Sequence, residues 1–311
     1  MVDGRAAGGM AMAAAIGIVF IAHGLLHTIG HASENMCRMT YMMPNYYSIP
    51  VPHASWGTKP SYSLLLYREG SQSFHKRGLP VLFIPGNAGS GKQVRSMASE
   101  AARELGRNPS LGQLDFWAVD FEDELSAFSG DILLSQTKFV CRCIPHIMDS
   151  YKEEGMQPGG VVLVAHSMGG HIARIVSASF CEEDFDVVAI FSLSSPHTGL
   201  PVFTDPLLKR LTDWSADVWR RNFFPSAHEP VANSTTSSKR SERLNRMVSV
   251  SVGGGLRDLL VGTERCDLSH ICPSSHCLSV SSTALAGVWV SVDHQAILWC
   301  NQMVQIVVSS L

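Results

Sequence analysis

A serine at the end of an apolar run, with small residues on either side, is the first place in this sequence where chemistry is possible. Val161-Val162-Leu163-Val164-Ala165 leads straight into His166-Ser167-Met168-Gly169-Gly170. A serine hydroxyl attacks a carbonyl effectively when a base takes its proton and N–H groups receive the charge that develops on the oxygen. Both needs are met at a sharp strand-to-helix turn. It lifts the hydroxyl to the carboxyl end of the strand and aims the next N–H, here that of Met168, at the oxyanion. The turn is tight, so the residues two before and two after the serine must be small. Ala165 and Gly169 satisfy this, giving G-x-S-x-G with alanine in first place. The competing reading is an ordinary small-residue turn, and the apolar run directly before the serine argues against it.

The serine needs a histidine base and an acid to orient it; at this kind of turn both come later in the chain, acid first. Asp258 follows the apolar run Met247–Val252 and Gly253-Gly254-Gly255, and His294 follows Val288–Val292. Both then fall at strand ends on the same edge as Ser167. Asp258 has plainer uses, pairing with Arg257 or capping a turn, and His294 has one as a surface loop residue. Asp293 is the rival acid, but a side chain adjacent to His294 normally points away from it. His197, in Ser195-Pro196-His197-Thr198-Gly199, is the rival base. No suitably placed acid separates it from Ser167, so His197 and His166 are expected to line the site.

A second oxyanion N–H is expected from Ile84-Pro85-Gly86-Asn87-Ala88-Gly89-Ser90-Gly91, at Asn87 or Ala88. The same stretch, Gly86 to Lys92, has the spacing of a nucleotide phosphate loop, but Gln93 stands where that loop needs Ser or Thr to hold Mg²⁺. Nucleotide binding through 86–93 is thus the weaker alternative. His23, His27 and His31 repeat along one helix face, with Glu34 and Cys37 the nearby candidates to complete a metal site. A polar stripe at the end of a helix explains them better. Neither metal nor cofactor is expected.

These residues must be held by a frame, and the sequence suggests one. In 311 residues, 45% hydrophobic and 16% charged, short apolar runs alternate with helical stretches from Pro80 onward, the mark of a parallel sheet covered on both faces. Strands are expected at 81–84, 114–119, 161–165, 187–193, 247–252 and 288–292, with helices at 136–151, 168–180 and 295–308. The segment 35–60 has no clear period, and the Ser/Thr-rich stretch Ser226–Arg246 reads as an exposed loop. The fold class is therefore α/β, of the α/β-hydrolase type: a doubly wound, mostly parallel sheet. Met10–Leu26 is almost wholly apolar, which predicts an uncleaved N-terminal transmembrane helix, since a cleaved leader has a shorter core and an A-x-A-like exit. The chain then divides into an anchor with its flanks, 1–33, and the α/β domain, 34–311. Eight cysteines form no paired zinc-binding clusters; Cys266, Cys272 and Cys277 crowd one loop, where a disulfide or buried thiols fit equally. Asn233-Ser234-Thr235 is a glycosylation sequon, which with the anchor and cysteines points to a lumenal body. A net charge of −3 offers no footprint for nucleic acid.

Several blocks together resemble one family. PVLFIPGNAGSGKQVRSMASEAAREL, FEDELSAFSGDILLSQTKFV, VAHSMGGHIARIV, SSPHTGLPV, GGGLRDLLV and VWVSVDHQAILWCNQ follow one another in the order found in the GPI inositol-deacylases, and the segment from Glu34 to Met42 is similar too. The resemblance covers roughly 34–304. It implies an endoplasmic-reticulum membrane esterase with a lumenal domain, which removes the acyl chain from the inositol of a GPI lipid or GPI-anchored protein. It also implies Ser167 as nucleophile, Asp258 as acid and His294 as base. Ala165 stands where the family has glycine. The family continues into a long multi-spanning region, whereas this sequence stops at Leu311. Weak handling of a membrane-embedded lipid is expected from that difference, and a non-catalytic lipid- or partner-binding module is the alternative of another class.

Overall fold

The structure, a computed structural model, describes residues 4–30, 36–52, 61–109, 112–181, 183, 185–200, 205–225 and 235–311. His31, Glu34 and Asn233 lie outside the described residues. The chain divides into two units, Met1–Met36 and Cys37–Leu311.

The first unit is a helix, α1 (Gly4–Gly30), with exposed apolar side chains including Ile18, Val19, Phe20, Ile21 and Leu26. The transmembrane expectation is not borne out: among the described residues, no helix is long and apolar enough to cross a membrane. The second unit is the α/β domain. Its strands are β1 (Pro44–Ile49), β2 (Ser63–Glu69), β3 (Leu79–Ile84), β4 (Leu114–Asp120), β5 (Val161–His166), β6 (Val187–Leu193), β7 (Val248–Gly253) and β8 (Cys277–Ser281). Its helices are α2 (Arg95–Arg107), α3 (Gly130–Lys152), α4 (Gly169–Ile175), α5 (Pro206–Phe223), α6 (Thr235–Arg246) and α7 (Asn301–Ser310).

The strands form one eight-stranded sheet in the order β1-β2-β4-β3-β5-β6-β7-β8. Pairing is parallel from β4 through β8; β2 alone runs against its neighbours β1 and β4. Side chains on adjacent strand positions point to opposite faces, and both faces are apolar. Leu82, Ile84, Leu163 and Ala165 join one core with residues of α3, α4 and α5. Val81, Phe83, Val162 and Val164 join the other with α2 and α7. The carboxyl ends of β3, β5, β6, β7 and β8 share one edge, so the loops leaving them are neighbours.

The structure corrects three sequence expectations. Residues 288–292 are not a strand. Trp289 has φ of 48°, and the local backbone is satisfied by hydroxyls, with Ser282 Oγ donating to the carbonyls of Gly254 and Val290. Val288 and Val292 are apolar because they are buried, and β8 takes the edge position instead. The expected loop over 226–246 ends in α6. The aperiodic segment 35–60 contains β1, whose alternation is hidden because as an edge strand it has no buried side chain.

Three disulfides form: Cys37–Cys300, Cys141–Cys181 and Cys272–Cys277. The alternatives for the crowded loop divide between its members, since Cys266 stays a buried thiol.

Candidate active site

Ser167 sits between β5 and α4 with φ of 52°, a left-handed conformation that a residue with a Cβ adopts only where its surroundings impose it. The imposition is visible: Ser167 N–H donates to Leu193 O at 2.9 Å, and three glycines permit the close approach of chains around it. A Cβ on Gly86 would lie 2.6 Å from that of Ser167. One on Gly169 would lie 2.4 Å from Ile84 O, and one on Gly170 2.3 Å from Ser195 Oγ.

His294 Nε2 lies 2.9 Å from Ser167 Oγ, and its Nδ1 lies 3.0 and 3.1 Å from the two oxygens of Asp258. An ionised carboxylate only accepts, so Nδ1 carries the imidazole proton and Nε2 is left to receive the proton of Ser167. Asp258 Oδ1 also accepts N–H bonds from Leu260 at 3.1 Å and Val261 at 2.9 Å. Burial acts to raise the Asp258 carboxyl, but the bonds from His294 and Val261, with the nearby Ser194 hydroxyl, outweigh it and hold the pKa below its ordinary value. The acid is therefore ionised at neutral pH.

His166 does more than line the site. Its Nε2–H donates to the His294 carbonyl at 2.8 Å, and the two rings lie 4.7 Å apart. Burial, then the neighbouring His294, lowers its pKa to about 3, so it stays neutral. His197 is buried beside Gly170, and its carbonyl accepts from Arg174 Nη1 at 3.0 Å. No hydrogen bond among the described residues joins it to Ser167. The rival acid, Asp293, is otherwise engaged: its Oδ1 accepts from Gln295 N–H at 3.0 Å and Ala296 N–H at 2.8 Å, capping the turn that follows.

The two candidates for the second oxyanion donor separate. Ala88 N–H is spent on Glu124 O at 2.9 Å, which removes it, whereas the Asn87 N–H makes no hydrogen bond among the described residues. The Asn87 side chain anchors the neighbouring loop, its Oδ1 accepting from Ala127 N–H at 2.9 Å. The phosphate-loop spacing is not a phosphate cradle here. Gly91 N–H and Ser90 Oγ bind the Asp120 carboxylate at 3.0 and 2.8 Å, and Gly89 N–H closes back on Gly86 O. A carboxylate stands where a phosphate would need those donors.

Ser194 is the residue that sequence reasoning missed. It is fully buried at the end of β6 with φ of 49° and carries its hydroxyl toward Asp258. The doublet Ser194-Ser195 after an apolar strand gives no signal of this.

The profile of a family described as "PGAP1-like alpha/beta domain" matches residues 75–311. A Chaetomium globosum protein named GPI inositol-deacylase is 32% identical over 323 residues, which is 96% of this chain and 27% of that protein. The mouse GPI inositol-deacylase is 35% identical over 295 residues, 92% of this chain and 30% of its own length. The chain thus spans less than a third of these relatives. Among solved structures, the Thermus thermophilus protein TT1662 aligns with a TM-score of 0.54 at 13% identity, covering 86% of this chain and 96% of that one, a likeness of fold. By its sequence, this chain belongs to the family of PGAP1-like alpha/beta domains.

Proposed function

We propose that this domain is a serine esterase that removes the acyl chain from the inositol of GPI lipids. The observation that carries it is the unbroken line Asp258–His294–Ser167 at the strand-end edge. His294 takes the proton of Ser167 as its Oγ attacks the ester carbonyl; the oxyanion is received by the N–H groups of Met168 and Asn87. His294 then protonates the departing inositol oxygen, and the acyl-enzyme forms. Water, deprotonated by the same imidazole, releases the fatty acid and restores Ser167. Asp258 keeps the tautomer fixed throughout.

The substrate assignment is supported by the names of the relatives. Three disulfides favour an oxidising compartment, in keeping with a lumenal, membrane-associated protein of the endoplasmic reticulum. Wild type and Ser167→Ala, assayed side by side on acyl-inositol GPI, test the activity; equal turnover would refute it. Glycosidase treatment of protein from eukaryotic cells tests the compartment: a mobility shift lost in Asn233→Gln is expected, and no shift in wild type counts against the lumen.

A further inference from the structure

The edge of the sheet that carries Ser167 is ringed by apolar side chains pointing into water. Leu256, Leu259 and Leu260 flank Asp258 and are 93%, 81% and 66% exposed, and Trp289 is 70% exposed. Leu125 and Phe128, on the loop after β4, are both more than half exposed on the oxyanion side of the site. These residues belong to neighbouring loops. Arg257 N–H donates to Ser291 Oγ at 2.8 Å and Val292 N–H to Gly254 O at 2.7 Å, which holds the acid loop against the segment bearing Trp289. The loop of Leu125 and Phe128 is tied to Asn87 and Ala88 by the bonds described above.

A soluble surface seldom leaves this much apolar area together, and such patches mark places of contact. Trp289 sharpens the point. Its backbone is left-handed, with φ of 48°, while Val288 and Val292 on either side are buried. The fold accepts a strained aromatic residue with its ring directed outward rather than packing it inside.

We infer that this rim is a bilayer-docking surface, on which Leu256, Leu259, Leu260 and Trp289 enter the lipid interface and bring Ser167 to a membrane-borne ester. The inference rests on the esterase reading for the lipid nature of the substrate. Two features favour lipid over another protein segment. The rim borders the nucleophile itself, so a permanent protein cover would close the edge where substrate must enter, whereas a bilayer presents the substrate there. The nearby charges are mixed, Arg257 on one loop with Glu122 and Asp123 on the other, which suits a zwitterionic surface. Leucine and tryptophan at loop tips are the side chains that seat in such an interface.

The test uses the full chain with phosphatidylcholine vesicles whose acyl chains are brominated near the headgroup, which quenches indole emission on contact. Quenching is expected in wild type and largely absent in Trp289→Phe, at low and high salt alike. The double variant Leu256→Ser/Leu259→Ser should lose quenching and hydrolyse a vesicle-borne ester roughly tenfold more slowly or worse, while a soluble short-chain ester is cleaved as by wild type. Equal quenching in wild type and Trp289→Phe overturns the proposal, whether the loop stays in water or another segment covers it. So does unchanged vesicle activity in the double variant. Quenching without ester hydrolysis by wild type would support docking and tell against the esterase reading instead.

Discussion

Ser167 and its alanine variant both carry a Cβ, so the strain of a left-handed φ cancels between them. Ser167→Ala should therefore abolish labelling by a fluorophosphonate probe and ester turnover while leaving Tm unchanged; retained labelling would move the nucleophile elsewhere. The two aspartates near the base separate cleanly. Asp258→Asn should lower kcat by about 10⁴, because an amide no longer fixes the proton on Nδ1 of His294. Asp293→Asn should leave kcat near wild type, since asparagine caps a turn as well as aspartate. Matched kinetics on a soluble ester would expose a reversed ranking. All three members of the line were legible in the sequence because each follows an apolar run; the runs before Ser167 and Asp258 are β5 and β7, whereas the one before His294 is a buried segment outside the sheet. The supporting residues were not: the bond from His166 to the His294 carbonyl and the approach of Ser194 to Asp258 arise from packing between β5, β6 and the loops, which no local pattern records.

The elements read from sequence were those with a continuous apolar run. β3, β4, β5, β6 and β7 are buried on both faces, and their composition says so. α5 was missed although Asp205-Pro206 opens it with a cap and a first-turn proline, Asp205 accepting from Leu207 N–H at 2.8 Å. β4 also holds a feature far from the chemistry. Asp115, near its amino end, pairs with Arg68 at 3.1 Å and accepts from Gly78 N–H at 2.7 Å and Tyr151 Oη at 2.9 Å, all in the interior. Asp115→Ala strands a buried guanidinium and should cost about 3–5 kcal/mol. The site lies at the opposite end of the strands, so protein that still folds should keep its kcat. Urea unfolding beside ester kinetics checks both halves; a stability loss under about 1 kcal/mol would mean the pair is worth no more than an exposed one.

Across the whole molecule, burial sets an acid limit. His166, His171 and His197 are enclosed, and burial is the first cause holding each pKa below the usual 6.5, to about 3 for His166. They stay neutral in the fold and take up protons once unfolded, so their contribution is complete above pH 6.5 and is lost as pH falls below it. Three such groups give a limiting slope of roughly 4 kcal/mol per pH unit. Urea midpoints should drop sharply between about pH 7 and pH 5.5, and superimposable curves would contradict the assignment. The Cys37–Cys300 bond bears on when the line from Asp258 to Ser167 is assembled. Its two halves are 263 residues apart, and Asn301 N–H donates to Arg38 O at 2.8 Å beside it. At about 5–20 residues per second, a ribosome needs roughly 13–50 s to deliver the second cysteine after the first. His294 is delivered only at the end of that interval, just ahead of Cys300. Throughout it Ser167 has no base, and Cys37 lacks its disulfide partner. The clasp and the Asp258–His294–Ser167 line are completed together, so Ser167 stays without its base until the domain can close.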